Sequence, residues 1–231
     1  MASSSTKMAT PSTLAKPKIL LLHGAGTNPT IFKIQARKLV SLLSRKFEMV
    51  YLPGFIECGP GPGVLPYFEG AGPYLKWMTD ATFADEELHW TSGLERLMTA
   101  YNAHGPFHGV IGFSQGAKAG MYLVRQLEQE RRPVKFFVSI CGTAPFQGVK
   151  EGKKGEKLKQ SLEKGVVMET NRCYHFIGID DPYRPESEAL TEFFEARAGN
   201  IWRFEGGHHM PAKTSDNEYL GLLCVAAIEG E

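Results

Sequence analysis

The chain has 231 residues, 42% hydrophobic and 22% charged, with a formal net charge of +1. This composition suits a globular chain that buries a core, and near-neutrality provides no field to draw nucleic acid or an anionic membrane. Cys58, Cys141, Cys173 and Cys224 form no CxxC pair or His/Cys cluster at metal-ligand spacing and read as reduced thiols, and no stretch approaches the roughly 20 apolar residues that span a bilayer.

Residues 1–17, rich in Ser, Thr and Ala without the apolar core of a signal peptide, read as a disordered tail. A soluble, cytoplasmic protein is expected, with one domain over residues 18–231. From Lys18, KILLLHG is a short branched apolar run closed by glycine, the pattern of a strand buried on both faces. Asn28-Pro29 starts a helix carrying Ile31, Ile34, Leu39, Leu42 and Leu43, and FEMVYLP from Phe47 returns as a strand. Residues 53–73 are rich in Gly and Pro but keep Phe55, Tyr67 and Phe68, so they read as a long ordered loop within an insertion at about 53–84.

Helical signals over Asp85 to Tyr101 precede the strand FHGVIGF from Phe107, a helix from Gln115 to Gln129 and the strand VKFFVSI from Val134. A charged segment from Lys150 to Lys164 suggests a short surface helix, its lysines interleaved with glutamates as on a solvated face. RCYHFIGI, NIWRFEG and a helix from Ser215 to Ile228 complete the alternation. Such alternation implies an α/β architecture, a mostly parallel central sheet with helices on both faces and its site at the strands' C-terminal ends.

At those ends lies a chemical pattern. GFSQG, Gly112 to Gly116, sits where a strand meets a helix, and glycines two residues either side of Ser114 allow the sharp turn that exposes a nucleophile. A serine hydroxyl needs a histidine to take its proton and a carboxylate to orient that histidine. Asp181 follows RCYHFIGI and His208 follows NIWRFEG, giving the order Ser, Asp, His of the α/β-hydrolase fold. Asp180 and His209 are the neighbouring alternatives for acid and base. Ala25, in the loop HGAGTN, and Gln115 are the candidates for the two backbone N–H donors of an oxyanion hole. The loop lacks the GxxxxGK[ST] string and the third glycine of a dinucleotide fingerprint. His23 reads as a structural histidine and Cys141 as a small buried hydrophobe. Phe68 and Trp77, in an aromatic-rich stretch, are the candidates for lining a substrate pocket, with core packing the equal alternative.

The strings KILLLHGAGTNPTIF, ECGPGPGVLPYFEG, GPYLKW, GFSQGAKAG and GGH followed by Pro211 resemble a fungal serine-hydrolase family of the α/β-hydrolase fold that includes polyketide-releasing thioesterases. The resemblance covers nearly the whole chain after Lys18. It implies a triad of Ser114, Asp181 and His208, no metal or organic cofactor, and action on acyl esters or thioesters, including chains held on an acyl-carrier domain of a synthase. The family's acid segment, GxxDxxxP, selects Asp181 over Asp180, although Arg184 stands before Pro185 where an apolar residue is more usual. The other readings are a carboxylesterase of small free esters, an acyltransferase, and a binding protein that keeps the fold without the chemistry.

Overall fold

The computed structural model describes residues 15–79, 83–144, 172–194 and 200–230. Six strands, β1 (Lys18–Leu22), β2 (Glu48–Leu52), β5 (Gly109–Phe113), β6 (Phe136–Ile140), β7 (Cys173–Gly178) and β8 (Ile201–Phe204), form one sheet in the order β2-β1-β5-β6-β7-β8. Every pair in it is parallel. β5, β6 and β7 are buried at every residue, as expected of strands covered on both sides.

Alternate residues of each strand feed two cores. Leu20, Leu22, Val110 and Phe137 pack on one face with α3 (Phe83–His104), α4 (Gln115–Gln129) and α5 (Arg184–Thr191), through Leu97, Leu123 and Leu190. Ile19, Leu21, Ile111 and Phe176 pack on the other with α1 (Pro29–Gln35), α2 (Arg37–Leu43) and α6 (Thr214–Glu229), through Phe32, Leu39 and Leu220. Each fully buried large side chain contributes about 1.5–3 kcal/mol relative to exposure, and the alternation along each strand supplies both cores at once.

Several elements differ from the sequence expectation. Lys16 and Pro17 are not free tail: the Lys16 ammonium donates to Ser44 O at 2.8 Å, and Glu48 N–H donates to Pro17 O at 2.9 Å, extending the β1–β2 edge. Asn28 caps α1, its Oδ1 accepting from Ile31 N–H at 2.9 Å with Pro29 in the first turn, but the expected single helix breaks at Ala36 into α1 and α2. The long loop holds β3 (Ile56–Cys58), which pairs antiparallel with β4 (Tyr74–Lys76) just beyond it. Strands of three residues are too short to show a period, so the glycines and prolines around them dominate the sequence signal. The charged segment Lys150 to Lys164 lies outside the described residues.

Candidate active site

The strand β5 ends at Phe113 and α4 begins at Gln115, so Ser114 must reverse the chain within one residue. It does so with φ 54 and ψ −123, a conformation that costs a non-glycine residue on the order of 1–3 kcal/mol. Backbone hydrogen bonds hold it there: Ser114 N–H donates to Ile140 O at 3.0 Å, and Ser114 O accepts from Ala117 N–H at 3.0 Å. A Cβ at Gly116 would lie 2.2 Å from Leu22 O, and one at Gly112 2.5 Å from Ala117 Cα. The glycines flanking the serine are therefore required by the close approach of α4 to β1 and β5.

The next two strand ends bring up the partners. Asp181 follows β7 with its side chain wholly buried, while Asp180 is exposed and its N–H donates to Gly206 O at 2.9 Å. His208 Nδ1–H donates to Asp181 Oδ2 at 2.8 Å, and Ser114 Oγ–H donates to His208 Nε2 at 2.9 Å. Tyr183 N–H donates to the second carboxylate oxygen, Asp181 Oδ1, at 2.7 Å, which fixes the carboxylate's rotation. The His208 ring lies between Phe113 and Tyr183, with centroid separations of 5.2 and 4.8 Å. His209 is held within its own turn, Nδ1 to Met210 O at 2.8 Å and Nε2 accepting from Gly207 N–H at 3.2 Å. The structure thus joins Ser114, His208 and Asp181 and leaves both sequence alternatives out of that line.

A cleft of about 620 Å³ opens over Ser114 and His208, with Ala25, Thr27, Gln115 and Thr143 in its wall. Among the described residues no backbone acceptor takes the N–H of Ala25 or of Gln115, the arrangement an oxyanion hole needs. The N-terminal end of α4 also points its partial positive charge at this spot. Lys118 and Glu186 share the same wall; burial raises the Glu186 carboxyl above its ordinary range and the Lys118 ammonium opposes that shift.

Phe68 and Trp77 do not line this cleft. Trp77 is 1% exposed, packs edge-on to Phe55 at 5.3 Å and donates its ring N–H to His23 O at 2.7 Å. Phe68 is half-buried, its carbonyl accepting from the Tyr74 hydroxyl at 2.6 Å. Of the aromatic residues in this stretch, Trp77 and Phe55 pack in the core on the α3 and α4 side of the sheet, whereas Tyr67 is exposed.

Sequence reasoning missed what holds the loop HGAGTN. Gln115 Oε1 accepts from Trp77 N–H at 2.7 Å and from Met78 N–H at 3.4 Å, clamping the segment after β4 to the start of α4. Gly26 N–H donates to Leu75 O at 2.9 Å, Leu75 N–H to Thr27 O at 2.7 Å, and Asn28 Nδ2 to Ala71 O and Pro73 O. His23 is fully buried; its Nε2 accepts from Gly54 N–H at 2.8 Å and its Nδ1–H donates to Gly24 O at 2.8 Å, so it is neutral and its pKa is lowered to about 4 by burial. No pattern of residue types announces these clamps, because each depends on a loop meeting a distant segment.

The His/Cys/Asp/Glu group with metal-ligand spacing found among the described residues is Cys141, Asp181 and His208. Burial and then the Asp181 charge push the Cys141 thiol up, so it stays protonated, and Asp181 and His208 are already committed to each other. The donor set suits a hydrogen-bond network better than a cation.

Residues 11–220 match the family model described as Serine hydrolase (FSH1). The chain is 35% identical over 213 residues to Esterase FUS5 of Gibberella moniliformis, covering 89% of this chain and 84% of that protein. It is 32% identical to Thioesterase FSL2 of Gibberella zeae, covering 91% and 92%. The Dihydromonacolin L-[lovastatin nonaketide synthase] thioesterase of Aspergillus terreus is 28% identical, covering 95% and 97%. Among solved structures, Arabidopsis thaliana SOBER1 superposes with a TM-score of 0.59 at 14% identity, over 93% of this chain and all of that one. A carboxylesterase from Mesorhizobium loti gives 0.60 at 15% identity, over 92% and 90%. The parallel sheet, its two helical layers and the match over most of the chain lead to one conclusion: the protein has the α/β-hydrolase fold and belongs to the FSH1 serine hydrolase family.

Proposed function

We propose that the protein hydrolyses acyl esters or thioesters through an acyl-enzyme on Ser114. The observation that carries this reading is the unbroken line Asp181 Oδ2, His208 Nδ1, His208 Nε2, Ser114 Oγ, with separations of 2.8 and 2.9 Å. His208 Nε2 takes the hydroxyl proton as Oγ attacks the acyl carbonyl, and Asp181 stabilises the imidazolium that forms. The Ala25 and Gln115 N–H groups receive the developing oxyanion. Collapse of the tetrahedral intermediate breaks the bond to the leaving alcohol or thiol, which takes the proton from His208. Water, deprotonated by the same nitrogen, then frees the acid and restores Ser114.

Thioester cleavage is the favoured natural reaction, since two of the relatives are named thioesterases and one of these names a synthase. The acyl group then arrives on a carrier domain of a synthase, the partner this reading implies. The test is turnover of a p-nitrophenyl ester and the matching acyl-N-acetylcysteamine thioester. Wild type should cleave both, and Ser114→Ala should lose about 10⁴-fold or more on each while remaining folded. Wild-type turnover by folded Ser114→Ala refutes the assignment.

A further inference from the structure

The turn after β6 touches all three members of the site. Ile140 O accepts from Ser114 N–H, Thr143 N–H donates to Ser114 O at 3.4 Å, and Ser187 Oγ, in the helix that follows Asp181, donates to Gly142 O at 2.8 Å. At the centre of this turn Cys141 is fully buried and adopts φ 45, an unfavourable backbone conformation for a non-glycine residue. That conformation, fixed by Cys141 N–H donating to Phe176 O at 2.8 Å, aims the sulfur at the underside of the site.

The sulfur lies 3.8 Å from Gly207 O and 3.6 Å from His209 O, the carbonyls on either side of His208. Its Sγ, a carboxylate oxygen of Asp181 and a ring nitrogen of His208 all lie within 4.8 Å of one another. We propose that Cys141 is a positioning residue, its thiol fastening the turn that carries His208 and filling the space beside the Asp181 carboxylate; this rests on the triad reading above. Because burial and the Asp181 charge keep the thiol protonated, it acts as a donor and a filler and does not act as a second nucleophile. Without the sulfur, a gap of nearly water size opens against Asp181 and the His208 turn loses its tether, so the line to Ser114 is held less tightly.

The test compares Cys141→Ala and Cys141→Ser in the full chain, with a p-nitrophenyl ester for kcat and KM and a fluorophosphonate for the rate of serine labelling. For Cys141→Ala, kcat and labelling rate should fall together by about three- to tenfold, the worth of one weak hydrogen bond in the barrier, with KM within about twofold of wild type. Cys141→Ser, which keeps a donor, should recover most of that loss. Should Cys141→Ala fail to fold, Cys141→Gly, suited to φ 45, replaces it with the same expectation. Wild-type kcat and labelling in the folded thiol-free variant, whatever its thermal midpoint, overturn the proposal, as does a serine variant no better than alanine. A wild type that neither turns over nor labels sinks the triad reading first and this inference with it.

Discussion

Replacing Asp181 by asparagine changes one atom, and the structure dictates what that atom does. In the wild type Oδ1 accepts from Tyr183 N–H at 2.7 Å and Oδ2 accepts from His208 Nδ1–H at 2.8 Å. An asparagine must keep its oxygen on the Tyr183 side, because turning its NH₂ there would set two donors face to face and strand a buried N–H at about 1–3 kcal/mol. Its NH₂ then faces His208 Nδ1, which has to become an acceptor, and the ring proton moves to Nε2. That is the nitrogen 2.9 Å from Ser114 Oγ, so the base is occupied while the geometry is intact. In the general Ser-His-Asp scheme this tautomer change costs about 10⁴ in kcat, or about 5.4 kcal/mol in the barrier. The assay is kcat on a p-nitrophenyl ester at saturation, with circular dichroism and the thermal midpoint confirming the fold. A folded Asp181→Asn enzyme within tenfold of wild type would refute the role of Asp181 as the group that sets the His208 tautomer.

Gly116→Ala places a Cβ 2.2 Å from Leu22 O and 2.4 Å from His23 O, backbone atoms that cannot step aside, so the variant should lose at least about 3 kcal/mol in urea unfolding or fail to accumulate. Gln115→Ala leaves the Trp77 N–H without the 2.7 Å bond to Oε1; it should lower stability by about 1–3 kcal/mol, and kcat should fall as the segment carrying the Gln115 N–H loosens, which a paired unfolding and kinetic comparison with Gln115→Glu would read. His23 and His175 are both buried, with pKa values lowered to about 4, whereas each titrates near 6.5 when unfolded. Unfolding therefore takes up protons between pH 6.5 and about 4: their contribution is complete above 6.5 and is lost as the pH falls, by at most about 1.4 kcal/mol per unit per histidine. Urea titrations at pH 7, 6 and 5 should show the decline, and His175→Leu should make it shallower; an unchanged slope in that variant counts against the linkage.

The sheet and the turn that carries Ser114 were legible because their signals are local. The apolar runs at Lys18, Gly109, Phe136 and Cys173 needed no partner to be read as buried strands, and Gly112 and Gly116 mark a turn whose geometry excludes side chains. The choice of Asp181 over Asp180 and of His208 over His209 turned on one residue of register, which residue-type order alone left open and the hydrogen bonds now distinguish. Less local features escaped. The ribbon of β3 and β4 exists only through pairing, and α5, which begins at Arg184-Pro185, lies where the sequence reading placed no helix. The aromatic cluster left pocket and core equally open, and Trp77 serves the core beneath the loop HGAGTN, since composition says how much apolar surface is present and not which way it faces. Cys141 read as an ordinary small hydrophobe because a positive φ and two carbonyl neighbours leave no trace in the residue type.

The central claim is that Ser114 is an activated nucleophile, and intact-mass measurement after treatment with a fluorophosphonate tests it most directly. The geometry predicts a single phosphonyl adduct on the wild-type chain and none on Ser114→Ala. A folded wild type that stays unlabelled, or an adduct that persists on Ser114→Ala, would contradict it.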